Sequence, residues 1–174
     1  MTVSVIIDEV LNDMIGMAST APPGSFVEVG VYKGGSAVRL ANVAEVQGRA
    51  IFLYDTFEGI PYTDEEKGDK HAVGDFNDTS FEEVKSNIPY ATVVKGIFPD
   101  SAVPMKDIAF VHVDCDQYKS IIDTVNYLTP LMVKGGIFWF DDAPDILGAR
   151  NAVTDLYDDN FSISSTGKIY KVVD

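Results

Sequence analysis

Polar and apolar positions along this chain fall into segments that alternate between two periods. Val5, Ile6, Val10, Leu11 and Met14 recur at helical spacing and predict a helix over residues 4–17. Pro22-Pro23-Gly24 closes it, because proline lacks the N–H that a helix needs. Unbroken apolar runs then predict strands at Ser25–Val31, Ala50–Asp55, Ile108–Asp114 and Ile137–Asp141, with a shorter one at Thr92–Lys95. Helices are expected over Ser36–Val46, over Thr79–Ile88 capped by Asp78 or Thr79, over Tyr118–Val133 ended by Gly135-Gly136, and over residues 146–158; Asp116, if it is not a site residue, would cap the third of these. Phe161–Ser164 and Lys168–Val173 flank Thr166-Gly167, the pattern of a hairpin. Residues 58–78 are polar and acidic without any period, and a loop of that length in a compact domain is expected to be a functional lid or a mobile segment.

Five apolar strands alternating with helices predict one α/β domain over residues 1–174, built on a parallel sheet covered on both faces. The terminal hairpin adds antiparallel pairing at one edge. Ligands of such sheets bind beyond the carboxyl ends of the strands, beside the first one. No apolar run approaches the roughly 18–20 residues that cross a bilayer. The first residues lack a basic leader, and Cys115 is a single cysteine, so a reducing, cytoplasmic setting is expected. The net charge of −14 disfavours nucleic acid and attracts cations, a dication or a sulfonium among them.

Two constellations at the expected ligand-binding end carry chemistry. The first is the turn Glu28-Val-Gly30-Val-Tyr-Lys-Gly34-Gly35 between strand and helix, with Asp55 ending the next strand. Its glycines let backbone approach a ligand, but the spacing is not the G-x-G-x-x-G of a pyrophosphate site. A carboxylate there suits a cationic ligand, and Asp55 suits ribose hydroxyls. Ile97 or Phe98, beyond the third strand, can face an adenine or the core. The second constellation is Asp114 and Asp116 with Asp141 and Asp142, at the ends of two strands that would lie ~4.8 Å apart as neighbours. Converging carboxylates are costly unless a hard cation such as Mg²⁺ joins them.

The stretches Phe26–Ser36 (FVEVGVYKGGS), Tyr54–Pro61 (YDTFEGIP), Val94–Phe98 (VKGIF), Val113–Ser120 (VDCDQYKS), Gly135–Asp142 (GGIFWFDD) and Gly148–Val153 resemble the macrocin O-methyltransferases, class I sugar O-methyltransferases that depend on a metal. The resemblance spans residues 24–155 and implies a Rossmann-like, mostly parallel sheet of seven strands in the order 3-2-1-4-5-7-6, the last antiparallel. It implies S-adenosylmethionine as cofactor, held by Glu28, Gly30, Tyr32, Gly34, Ser36, Asp55, Thr56, Phe57, Phe98 and Asp114. Mg²⁺ would lie on Asp114, Asp141 and Asp142, with Asp116 as general base and Asp114 sharing that role. The acceptor would be a hydroxyl of a sugar or other small natural product.

The chain departs from the family pattern at Cys115, where relatives have glycine, and at Ala143, where many have tyrosine. Its segment ahead of the first strand is shorter than in relatives, so residues 58–78 or a second copy in a homo-oligomer are expected to shape the acceptor pocket. A nicotinamide-dependent oxidoreductase and a non-catalytic S-adenosylmethionine-binding module remain as alternatives. Of the other polar residues, His112 is expected to be a satisfied strand histidine, His71 an ordinary exposed one and Cys115 a packing residue. Trp139 and Phe140 should fill the core. Tyr118 is placed either at the acceptor site or in packing, and Arg150 either beside an acidic site residue or in solvent.

Overall fold

The computed structural model of the chain describes residues 6–174. A seven-stranded sheet runs in the order β3-β2-β1-β4-β5-β7-β6. Its strands are β1 (Ser25–Val29), β2 (Ile51–Asp55), β3 (Thr92–Lys95), β4 (Ile108–Val113), β5 (Met132–Phe140), β6 (Ser162–Ile163) and β7 (Ile169–Val172). The first five pair in parallel, and β7 runs antiparallel to both β5 and β6. The helices are α1 (Asp8–Thr20), α2 (Gly35–Gln47), α3 (Phe81–Asn87), α4 (Tyr118–Leu128) and α5 (Leu147–Tyr157). This is the expected architecture, strand order included.

Alternation along the strands builds two separate cores. Phe26, Phe110, Ile137 and Trp139 face α1, α2 and α3 and meet Leu11, Met14, Leu40 and Val84. Val27, Val111, Phe138 and Phe140 face α4 and α5 and meet Ile121, Val125, Ala149 and Val153. Burial on both faces makes the strands read as unbroken apolar runs. The exceptions are polar: Glu28 and His112 are register partners on β1 and β4, and both are fully buried on the α1–α2 side.

Several boundaries differ from the sequence expectation. Val5 lies outside the described residues, and α1 starts at Asp8 and runs on to Thr20, where Pro22 halts it. Helix α4 ends at Leu128 instead of Val133, because Pro130 tightens the next turn into a 3₁₀ segment, Thr129–Leu131, and β5 begins at once. Gly135 and Gly136 therefore sit inside β5. Helix α3 is capped by Ser80, whose hydroxyl accepts from the Glu83 N–H, and not by Asp78 or Thr79. Those two residues bind the glycine turn instead, Asp78 through Tyr32 and Lys33 and Thr79 through the Tyr32 carbonyl. Asp116 does not cap α4. Gln117 stands at that position, and the Tyr118 N–H is met from far along the chain by Asp69, at 2.7 Å.

The end of β1 lies hard against the end of β4. A Cβ on Gly30 would stand 1.7 Å from the Asp114 carbonyl oxygen, and Gly30 has φ of +92°, so only glycine fits there. Gly30→Ala should therefore lower unfolding free energy by about 3 kcal/mol or more. Gly16→Ala, in an open stretch of α1, should raise it by about 0.5–1 kcal/mol. Urea unfolding of both variants measures the contrast, and equal effects would contradict the close approach.

Candidate active site

A cleft of about 650 Å³ opens over the carboxyl ends of β1, β2, β4 and β5. Three backbone bonds carry the parallel ladder one step past the strands: Gly30 N–H to Tyr54 O at 2.9 Å, Asp114 N–H to Val29 O at 2.9 Å, and Asp141 N–H to Val113 O at 3.1 Å. They bring the glycine turn and both aspartate pairs to one rim.

Asp55 organises the glycine turn. Its Oδ2 accepts from the Val31 and Tyr32 N–H groups, both at 2.8 Å, and its Oδ1 from Phe57 N–H at 2.6 Å. A carboxylate offers about four acceptor positions, so one on Oδ1 is left. Val31 is buried; Tyr32 and Phe57 take positive φ values of 50° and 53° under this hold.

Of the residues expected at the cofactor, Gly30, Tyr32, Asp55, Thr56, Phe98 and Asp114 line the cleft. Glu28, Gly34, Ser36 and Phe57 stand behind its surface, buried. The Glu28 Oε1 accepts from Ser36 Oγ at 2.7 Å, which ties the strand to the first turn of α2. Phe98 packs between Tyr54 and Tyr127 with ring centroids 4.7 and 5.3 Å away, while Ile97 beside it is the more exposed of the two.

At the rim, Asp114, Asp141 and Asp142 each turn one oxygen to within 4.8 Å of the others. Asp141 Oδ1 is buried without a hydrogen-bond partner, an arrangement that fits a hard cation with oxygen ligands. Glu28, His112 and Asp114 form a second close group, but Glu28 and His112 are sealed inside the sheet, away from the cleft. Asp142 Oδ2 accepts from Asp116 N–H at 3.1 Å, which helps hold Asp116 at φ +58° over the cleft.

This crowding moves the acids. Burial, then the charges of Asp142, Asp141 and Asp116, push Asp114 well above the ordinary carboxylate range. Burial and the charges of Asp116 and Asp141 do the same to Asp142. Asp116 is pushed up to about 7 by burial and by Asp141, Asp55 and Asp69. Burial works against protonated Lys168, yet Asp141 and Asp145 beside it raise its pKa overall.

Several discounted residues stand elsewhere than expected. His71 is not an ordinary exposed histidine: it lines the cleft with its Nε2 3.5 Å from Asp116 Oδ1. His112 is not satisfied. Its Nδ1 lies 3.5 Å from Glu28 and its Nε2 4.0 Å from Asp114, and neither nitrogen makes a hydrogen bond. Burial, the largest single influence, lowers its pKa, but Glu28 together with the charges of Asp141 and Asp142 raises it overall. Tyr118 does not line the cleft; its hydroxyl donates to Asp155 at 2.7 Å. Arg150 stacks on Phe161, with the guanidinium carbon 5.5 Å from the ring centroid. Cys115 lines the cleft with its thiol pKa raised by burial and by Asp142, and Trp139 and Phe140 fill the cores as expected.

Residues 58–78 carry more structure than their sequence suggests. They include a 3₁₀ turn, Glu65–Lys67, and are bound to α4. The buried Gln117 side chain donates to the Tyr62 and His71 carbonyls and to Thr63 Oγ1, at 3.0–3.2 Å. Asp69 accepts from Asp64 and Tyr118 N–H groups, and it fits against α5 only because residue 148 is glycine, where a Cβ would stand 2.3 Å from Asp69 Oδ1. Neither Gln117 nor Asp69 announces itself in the sequence, since the contacts that join them across loop and helix span 46 to 55 residues.

The profile of the family described as Macrocin-O-methyltransferase (TylF) matches residues 3–166. The demethyldecarbamoylnovobiocin O-methyltransferase of Streptomyces niveus is 27% identical over 185 residues, covering 92% of this chain and 70% of the relative. The 8-demethyl-8-(2,3-dimethoxy-alpha-L-rhamnosyl)-tetracenomycin-C 4'-O-methyltransferase of Streptomyces olivaceus is 31% identical over 163 residues. That match covers 82% of this chain, and the chain spans only 60% of the length of that relative. The solved structure of the O-methyltransferase NovP superposes with a TM-score of 0.74 at 25% identity, over 94% of this chain and 76% of that one. Among the described residues no helix is long and apolar enough to cross a membrane.

The rim acids set a pH dependence. A carboxyl that holds its proton to higher pH folded than unfolded favours the fold at low pH and loses that advantage as pH rises through the folded pKa. With divalent ions chelated, stability should therefore fall as pH rises from about 4 through about 7. Asp116→Asn should flatten part of that slope in thermal melts, and an unchanged slope would contradict the burial of a strained acid there.

Proposed function

The chain belongs to the macrocin O-methyltransferase family, and from that premise we propose that it transfers a methyl group from S-adenosylmethionine to a hydroxyl of a sugar or sugar-bearing natural product, with Mg²⁺ at the aspartate rim. The observation that carries this reading is the meeting of the Asp55-held glycine turn and the aspartates of β4 and β5 in one cleft. Both curated relatives are named as O-methyltransferases of natural products, one of them of a rhamnosyl tetracenomycin. When bound, the donor supplies an electrophilic methyl on a sulfonium, and the ion supplies positive charge that lowers the pKa of the acceptor hydroxyl.

The remaining work falls to side chains. Asp55 accepts a ribose hydroxyl with the position left on Oδ1, while Gly30 keeps the backbone clear for the methionine portion. Ile97 and the edge of Phe98 cover the adenine. Asp114, Asp141 and Asp142 hold the ion, and the negative rim suits a cationic donor. Asp116 takes the hydroxyl proton: a group poised near 7 is half-ionised at neutral pH and keeps driving force for proton transfer. His71 faces Asp116 across the cleft and orients its carboxylate. Residues 58–78 form the acceptor wall, and their hold through Gln117 keeps that wall in register with Asp116. Cys115, alone and beside the site, suits a reducing compartment such as the cytosol.

Calorimetry with S-adenosylmethionine and S-adenosylhomocysteine, with and without Mg²⁺, tests this reading. Wild-type protein should bind both. Asp55→Ala should weaken binding by at least about tenfold, a loss of roughly 1.4 kcal/mol or more. Asp116→Ala should bind the cofactor as wild type does yet lose about 10²-fold or more in methyl transfer to a hydroxylated sugar. Binding of NAD in place of S-adenosylmethionine would overturn the assignment.

A further inference from the structure

The C-terminal hairpin places a lysine in the aspartate rim. Lys168 precedes β7 and reaches into the cleft with only 13% of its side chain exposed. Its Nζ donates to the Asp141 carbonyl at 2.6 Å and to Asp145 Oδ2 at 3.1 Å, and stands 3.5 Å from Asp141 Oδ2. The Asp141 carboxylate is thereby divided. One oxygen, Oδ2, faces the ammonium, while the other, Oδ1, is buried without a hydrogen-bond partner, and Asp141 offers one carboxylate oxygen to the group it forms with Asp114 and Asp142. Lys168 also lies beyond residue 166, where the family match ends.

We propose that Lys168 is the resident counter-ion of the rim: it fixes Asp141, and its charge sets how tightly a divalent ion is held by Asp114, Asp141 and Asp142. The inference rests on the reading that the rim takes such an ion. An ion on Asp141 shares that carboxylate with an ammonium that three oxygens hold in place, so the lysine does not simply swing away. Even at a water-like dielectric, a unit charge and a dication a few ångströms apart repel enough to weaken binding by about tenfold. Lys168 thus spares the metal-free rim part of its self-repulsion and makes the bound ion exchangeable.

Titration calorimetry with Mg²⁺ and Mn²⁺ on wild type, Lys168→Gln and Lys168→Arg decides the matter. Lys168→Gln keeps a donor for the Asp141 carbonyl and removes the charge, so it should bind each ion at least about tenfold more tightly. Lys168→Arg keeps the charge and should match wild type within about threefold. Its unliganded form should also keep the wild-type melting temperature more closely than Lys168→Gln does. Equal or weaker binding by Lys168→Gln overturns the counter-ion role while leaving the metal site standing. Absence of binding in wild type and both variants overturns the metal reading and this inference with it. If Lys168→Gln does not fold, the side-chain nitrogen resonance of Lys168 in wild type should shift on saturation with Mg²⁺, and an unmoved resonance overturns the proposal.

Discussion

The site depends on the parallel register of β1, β4 and β5. Three strands that end at one level need neighbours whose backbones can pass closely, and Gly30 against the Asp114 carbonyl is where this is tightest. Once the ladder bonds of Gly30, Asp114 and Asp141 form, no further device is needed to gather the carboxylates. The same hydrogen bonding that builds the sheet delivers the side chains to the rim. Loops then refine the arrangement: Asp55 shapes the glycine turn, and Asp142 steadies Asp116.

Gathering like charges has a cost, and the fold meets it in three ways. Backbone N–H groups satisfy Asp55 and Asp69. Lys168 faces Asp141. The rest remains as raised proton affinity on Asp114, Asp116 and Asp142. Behind the rim, His112 stands between Glu28 and Asp114, so a polar file runs from the base of the glycine turn to the aspartates through an otherwise apolar layer. Such buried polar rows specify one register of neighbouring strands, because a slip would strand every member without its neighbour.

Much of this was legible in the residue order. Strands buried on both faces leave an unmistakable apolar signature, and the aspartates that end two of them stand out against it. What escaped depends on distance along the chain. Asp116 reads as a helix cap because it precedes Tyr118, yet the Tyr118 N–H is taken by Asp69, 49 residues earlier. His71 reads as a loop histidine until the loop is folded over Asp116. Lys168 reads as a hairpin residue until β7 pairs with β5 and carries it to Asp141. The early end of α4 is a local failure: the Pro130 signal was present, but the apolar residues that follow it continued the helical pattern.

The anchoring of residues 58–78 bears on how this segment can be exchanged. Gln117 grips carbonyls at 62 and 71, and Asp69 needs both a free N–H at 118 and a bare α-carbon at 148. A transplanted segment from another enzyme would carry its own outer side chains but must reproduce those main-chain positions to seat at all. Replacement is therefore freest at the outward residues of the segment, while its length and its acidic residue at 69 must match the helix beneath.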